Sequence, residues 1–201
     1  MKNPAHRHHS GKPSRSGFTL IELLVVIAII LVLAAAGFQA GRYVLQKAKK
    51  QKALAVCTQV EMAVNNFYQD TGTMPLDISG DQEINSNSPE GIELLEVLLN
   101  QETADPPRNT RGRKYLDVKE GKGSTDGIIY DNAGQVVEGL YDPWGGDYYI
   151  ALDGDYDEKV EVQPQGAANA RVLQRIVAVY SNGADADESD GGSVRDDVTT
   201  W

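Results

Sequence analysis

One carboxylate, Glu22, stands near the start of an otherwise apolar run. Phe18-Thr19-Leu20-Ile21-Glu22 leads into Leu23-Leu24-Val25-Val26-Ile27-Ala28-Ile29-Ile30, and no charged residue follows before Phe38. Phe18 to Phe38 spans 21 residues, which at about 1.5 Å rise each suffices for a bilayer core of about 30 Å. A charged group there is costly, because lipid offers it neither water nor a counter-ion. Glu22 therefore asks for a partner, and the nearest candidate is an amine created on Phe18 by cleavage after Gly17. A secretory signal would instead be cut after the small cluster Ala34-Ala35-Ala36-Gly37. A plain single-pass anchor explains the length but neither Gly17-Phe18 nor Glu22. A signal cut at Gly17 explains all three.

Charge is unevenly placed. The formal net charge is −10, yet residues 1–17 hold Lys2, Arg7, Lys12 and Arg15 and no acid, so the chain without them stands at −14. A basic leader beside an acidic remainder fits the positive-inside rule, with the leader cytoplasmic and the rest translocated. Such acidity also argues against non-specific nucleic-acid binding, which needs Lys and Arg to neutralise phosphates.

Beyond Phe38 the helix continues in polar form. Ala53, Val56, Val60, Ala63 and Phe67 recur at three- and four-residue steps, the period of a buried stripe. The single Cys57 lies at helical spacing with apolar neighbours, so we expect a buried thiol, and no intramolecular disulfide is open to it. Lys47, Lys49, Lys50 and Lys52 cluster after the apolar run, either solvated near lipid head groups or facing acidic neighbours in an assembly. Gly37 and Gly41 are packing glycines or a place where the helix can unwind. The helix should stop at Asp70-Thr71-Gly72, with Gly72 as its left-handed cap and Pro75 preventing continuation.

Residues 77–89 read as loop, and Pro89 to Leu99 as a second, short helix. Residues 100–140 read as a linker with short strands at 114–118 and 127–130. Pro143 with Gly145 and Gly146 makes a tight turn, and Trp144 can fold back onto apolar surface. Strands should follow at 147–152 and within 169–180. Asp153-Gly154-Asp155-Tyr156-Asp157 has part of an EF-hand spacing without the terminal glutamate, so we read a polar hairpin turn.

The tail, Ser181 to Trp201, is dominated by carboxylates in a glycine-rich setting. A folded loop gathering Asp185, Asp187, Asp196 and Asp197 would repel itself without a cation, and an all-oxygen donor set suits Ca²⁺ over zinc or copper. A solvated acidic tail is the alternative, although Val198 and Trp201 are apolar residues that a disordered terminus does not need. His6, His8 and His9 all lie in the leader, and no nucleophile–base pair can be assembled, so enzyme activity is disfavoured.

Ser16-Gly17-Phe18-Thr19-Leu20-Ile21-Glu22 resembles the class III signal of type IV pilins and type II secretion pseudopilins. Phe67-Tyr68 through Gly72 to Met74-Pro75, Asp142-Pro143-Trp144-Gly145 with Tyr148-Tyr149, and the tail resemble segments of the major pseudopilin. The resemblance implies an α+β pilin-like fold, with a long N-terminal helix packed against a small antiparallel β-sheet. It divides the chain into a leader removed by prepilin peptidase (1–17), a transmembrane and assembly helix (18–40), the helix's amphipathic half (41–72) and an α+β region (73–201) ending in a calcium loop (181–201). Gly17, Phe18 and Glu22 become processing and assembly residues, with Phe18 methylated and Glu22 meeting the Phe18 amine of a neighbouring subunit. Asp185, Asp197, Asp196, Asn182 and Asp187 are the implied calcium ligands, with Asp190 and Ser193 behind them. Asn182 stands where leucine is usual, and Arg195 puts a positive charge beside the loop. Many type IV pilins staple this region with a disulfide; here calcium would close it.

The implied function is that of a structural subunit of a type II secretion pseudopilus. Its partners would be copies of itself, minor pseudopilins, the inner membrane and the secretion assembly platform, with the C-terminal region periplasmic. A type IV pilus subunit for adhesion, motility or DNA uptake shares the N-terminus. A membrane-tethered calcium-binding domain that never polymerises is the third reading.

Overall fold

The computed structural model describes residues 17–131, 133–164, 169–185 and 197–201, with the backbone alone for 36–40 and 185. The leader, residues 1–16, lies outside that description. The chain divides into two compact units, residues 1–44 and 45–201.

Helix α1, Leu20–Thr71, is unbroken over 52 residues, including 37–41. In the first unit its described large apolar side chains are uncovered: exposure runs from 44% at Val26 to 82% at Leu20. Among the described residues, no helix is long and apolar enough to cross a membrane.

The second unit is built on the amphipathic stripe. Ala53, Cys57, Val60, Val64 and Phe67 are fully buried, as the three- and four-residue spacing requires. Helix α1 ends where the sequence says it should: Gly72 has φ +77° and its N–H donates to the Tyr68 carbonyl at 2.8 Å. Strands β1 (Gln82–Asn85), β4 (Tyr148–Leu152), β7 (Val177–Ser181) and β8 (Val198–Thr199) form one antiparallel sheet in the order β1-β4-β7-β8. Ile84, Tyr148, Ile150, Leu152, Val177, Val179 and Val198 join the core that contains the α1 stripe. Ala151 and Ala178, pointing the other way, are covered by Val160 and Val162 of the hairpin β5 (Val160–Val162) and β6 (Arg171–Leu173). The architecture is α+β and pilin-like: a long N-terminal helix followed by a small antiparallel sheet.

Helix α2, Pro89–Leu99, begins with Ser88 as N-cap, whose hydroxyl accepts from the Gly91 N–H, and with Pro89 in the first turn. Asn100 closes it in the left-handed region at φ 59°. The hairpin β2 (Gly127–Tyr130) and β3 (Val137–Tyr141) lies beside it. Three local expectations are corrected. Residues 77–89 contain β1, which becomes a strand by pairing Ile84 with Ile150. Residues 114–118 are not a strand, because Tyr115 and Leu116 both donate to the Leu98 carbonyl at the end of α2. The 169–180 segment holds two strands, β6 and β7, in different sheets.

Candidate functional site

Two places carry the sequence-derived residues. At the N-terminus, Thr19 precedes the first residue of α1. Its N–H and hydroxyl both donate to Glu22 Oε2, at 2.8 and 2.7 Å, while the Glu22 N–H donates to Thr19 Oγ1 at 3.3 Å. This is a capping box: the first helical N–H groups lack intrahelical partners, and a Thr-x-x-Glu spacing satisfies two of them reciprocally. The sequence reading gave Glu22 an amine partner and missed this one, although the Thr19–Glu22 spacing signals it. The uncleaved chain has no amine at Phe18, so the local cap is the partner available to the carboxylate. Gly17 meets nothing within 4 Å where a Cβ would sit, so its lack of a side chain is not demanded by packing here.

At the other end, the short β7–β8 pairing builds the base of the acidic loop. Ser181 stands opposite Val198 in register, so Asn182 and Asp197, the next residues along each strand, flank the loop mouth. Asn182 is only 7% exposed, and Asn182 Oδ1 and Asp197 Oδ2 are both buried oxygens. Gly183–Asp185 forms a single 3-10 turn. The side chain of Asp185, and all of Asp187, Asp190, Ser193 and Asp196, lie outside the described residues. Asn182 and Asp197 are thus the two expected ligands that the structure brings to one place.

Contacts among the described residues tie the end of the tail down. Val198 O accepts from the Cys57 thiol at 4.0 Å, Thr200 N–H donates to Val179 O at 3.2 Å, and Arg175 Nη1 reaches Glu61 Oε1 at 3.2 Å and Thr200 O at 3.3 Å. Trp201 packs edge-on against Tyr180 with centroids 5.9 Å apart. Cys57 is buried as expected, and that burial, with the nearby Asp142 charge, pushes its thiol well above the usual range. A thiol held protonated and covered is not a nucleophile.

Asp142 is the residue that sequence reasoning passed over. It is 1% exposed. Its Oδ1 accepts from the N–H groups of Trp144 and Gly146, each at 2.8 Å, and its Oδ2 accepts from Ser181 Oγ at 2.6 Å. Ser181 Oγ in turn accepts from the Gly183 N–H at 3.1 Å. Trp144 folds back as expected: its indole N–H donates to Gln46 at 2.9 Å, and Lys49 Nζ lies 5.8 Å from its ring centre. A second acidic cluster joins Asp81 to Asp153 and Asp155, with one oxygen of each within 4.8 Å of the others. Asp153 there accepts from the N–H groups of Asp157 and Glu158, the bonding of a turn.

Comparison with known proteins bears on both ends. Residues 12–38 match the prokaryotic N-terminal methylation motif. The chain carries a prepilin-type signal. It is 26% identical over 156 residues to the type II secretion system core protein G of Aeromonas hydrophila, covering 77% of this chain and 85% of that one. The Vibrio cholerae protein of the same name is 24% identical over 187 residues, covering 93% and 92%. The type IV major pilin protein PilE of Neisseria gonorrhoeae is 34% identical over 83 residues, covering 41% and 50%. The chain spans about half the length of the fimbrial and pilin relatives it matches. No solved structure matches it. These pilin-like relatives are by name filament and secretion proteins, not enzymes.

Proposed function

We propose that this protein is a structural subunit of a type II secretion pseudopilus. One observation carries the choice over a pilus: the likeness to the secretion core proteins runs through the C-terminal region, covering 77% and 93% of this chain. The type IV major pilins match 41% to 53% of it. In this reading the chain is cut after Gly17, Phe18 is methylated, and residues 18–40 anchor it in the inner membrane before it enters a filament. The exposed apolar side chains of the first unit support that role, since an uncovered stripe of this size marks an interaction with lipid or protein. On assembly Glu22 exchanges its Thr19 cap for the Phe18 amine of a neighbouring copy. Minor pseudopilins, the prepilin peptidase and the assembly platform are the further partners.

The tail would hold one Ca²⁺ through Asp185, Asp197, Asp196, Asn182 and Asp187. The donors fit a hard cation: all are oxygens, and two of them, Asn182 Oδ1 and Asp197 Oδ2, are buried beside one another's strand ends. Bound calcium would cancel the loop's self-repulsion. Asn182 and Asp197 would orient the loop mouth, and Arg175 and Trp201 would hold the last residues of the chain against α1 and β7.

Deleting the chain in its own host tests the proposal. Retention of exoproteins in the periplasm with surface pili intact is expected; normal export with loss of pili would transfer the protein to the type IV pilus reading, which its 34% identity to PilE favours.

A further inference from the structure

We propose that a lysine patch on the second unit docks on an anionic phospholipid surface. This rests on the membrane-anchor reading above. Residues 45–201 carry a formal charge of −14, yet six of their lysines gather in one place. Lys47, Lys49, Lys50 and Lys52 follow one another on α1, and the fold brings Lys119 and Lys122 to them from a distant part of the chain. Asp126 makes the junction: its Oδ2 accepts from Lys52 Nζ at 2.9 Å and also from Lys119 Nζ. The turn at Lys122 is closed by its N–H on the Thr125 carbonyl at 3.1 Å. That turn lies against Gly145, where a Cβ would meet Ser124 O at 3.1 Å. The neighbouring Trp144 reaches back to α1, with its indole N–H on Gln46 and Lys49 Nζ 5.8 Å from its ring centre. Three carboxylates share the patch: Asp117 is bonded to Lys114, Asp126 is divided between two lysines, and Glu120 is exposed. Lysine stays in excess.

The make-up of the patch selects lipid over protein. All six cations are lysines. Elsewhere in the unit, carboxylates are taken by arginine: Asp70 by Arg113, Asp77 by Arg108 and Glu61 by Arg175. Arginine's planar fork suits a fixed carboxylate, whereas lysine is a hydrated point charge on a flexible stem and suits a mobile layer of phosphates. Lysine stems also cover apolar surface while their heads stay in water, and tryptophan favours a boundary between apolar and wet. Leu45, 67% exposed, precedes Lys47 by two residues. Position in the chain supplies the surface. Lys47 follows Phe38 by nine residues, which reach at most about 32 Å even when fully extended, so an anchor ending at Phe38 keeps the lysines near head groups. Basic residues beside such an anchor are drawn to anionic lipid over about a Debye length. Docking holds the folded unit at the membrane before assembly.

The test uses the full-length chain in lipid nanodiscs of phosphatidylcholine alone and of phosphatidylcholine doped with phosphatidylglycerol. Amine acetylation is followed lysine by lysine with mass spectrometry. Lys47, Lys49, Lys50 and Lys122 are expected to react several-fold more slowly in the doped discs and to recover in high salt, since screening weakens the attraction. Lys159, in the turn before β5, is the internal control and should react alike in both. Replacing Lys47, Lys49 and Lys122 together by Gln, none of which has an ion-pair partner among the described residues, should remove the protection of Lys50 and leave the melting point unchanged. Equal rates in the two discs for an incorporated chain would overturn the proposal. So would protection that ignores lipid charge and grows with the number of copies per disc, which would make the acidic surface of another copy the occupant. A chain that enters neither disc would overturn the anchor reading, and the docking with it.

Discussion

The first and second halves of α1 obey opposite rules. From Leu23 to Leu33 the helix is apolar all round and leaves Leu24, Ile27 and Leu31 54%, 50% and 68% exposed. After residue 45, a narrow stripe of Ala53, Cys57, Val60 and Phe67 is wholly covered by the chain's own sheet. A helix that buries one stripe needs only its own domain. A helix apolar on every side needs a solvent of another kind or copies of itself, and in the proposed filament it has both. The difference teaches that the second unit answers for stability and the first for assembly, so a change in one should leave the other's property alone.

The largest expected effect is on assembly. Glu22→Ala should abolish incorporation into filaments, read as the loss of sedimentable polymer, while the melting point of the folded unit stays where it was. Polymer at normal yield would contradict the role given to Glu22. In the second unit, Phe67→Ala empties a fully buried site beside Tyr115, whose ring centre lies 5.3 Å away. A cost of about 3–5 kcal/mol is expected in a denaturant melt, with membrane association unchanged; a loss under about 1 kcal/mol would show that the stripe is not the core. The smallest effect belongs to Tyr148, whose hydroxyl is buried with no hydrogen-bond partner among the described residues. Because burying a polar group without a bond is costly, Tyr148→Phe should be neutral or stabilise by up to about 1 kcal/mol. A clear destabilisation would reveal a bond that this geometry lacks.

The two helices were legible in the sequence because periodicity and caps are local signals. The stripe from Ala53 to Phe67, the stop at Gly72 and the start at Pro89 each arise from a few neighbouring residues. Strands β1 and β8 were not legible. Gln82-Glu83-Ile84-Asn85 has one apolar residue, and Val198–Thr199 is two residues long; both are strands only because β4 and β7 lie beside them. The reverse held at 114–118, whose alternation suggested a strand but whose N–H groups close the end of α2 instead. At the candidate site, residue types announced the acidic tail, and the β7–β8 register brought Asn182 and Asp197 together. Asp142 was invisible for the same reason as β1: in sequence it is a turn aspartate, and its bond to Ser181 spans 39 residues.

The most direct measurement is the thermal melt of residues 45–201 alone, run with its oligomeric state recorded on the same sample. The account expects a monomer with a single cooperative transition, because the core and the described contacts on the tail lie within that unit. A fragment that polymerises, or one that shows no cooperative transition, would contradict the division of stability and assembly between the two halves of α1.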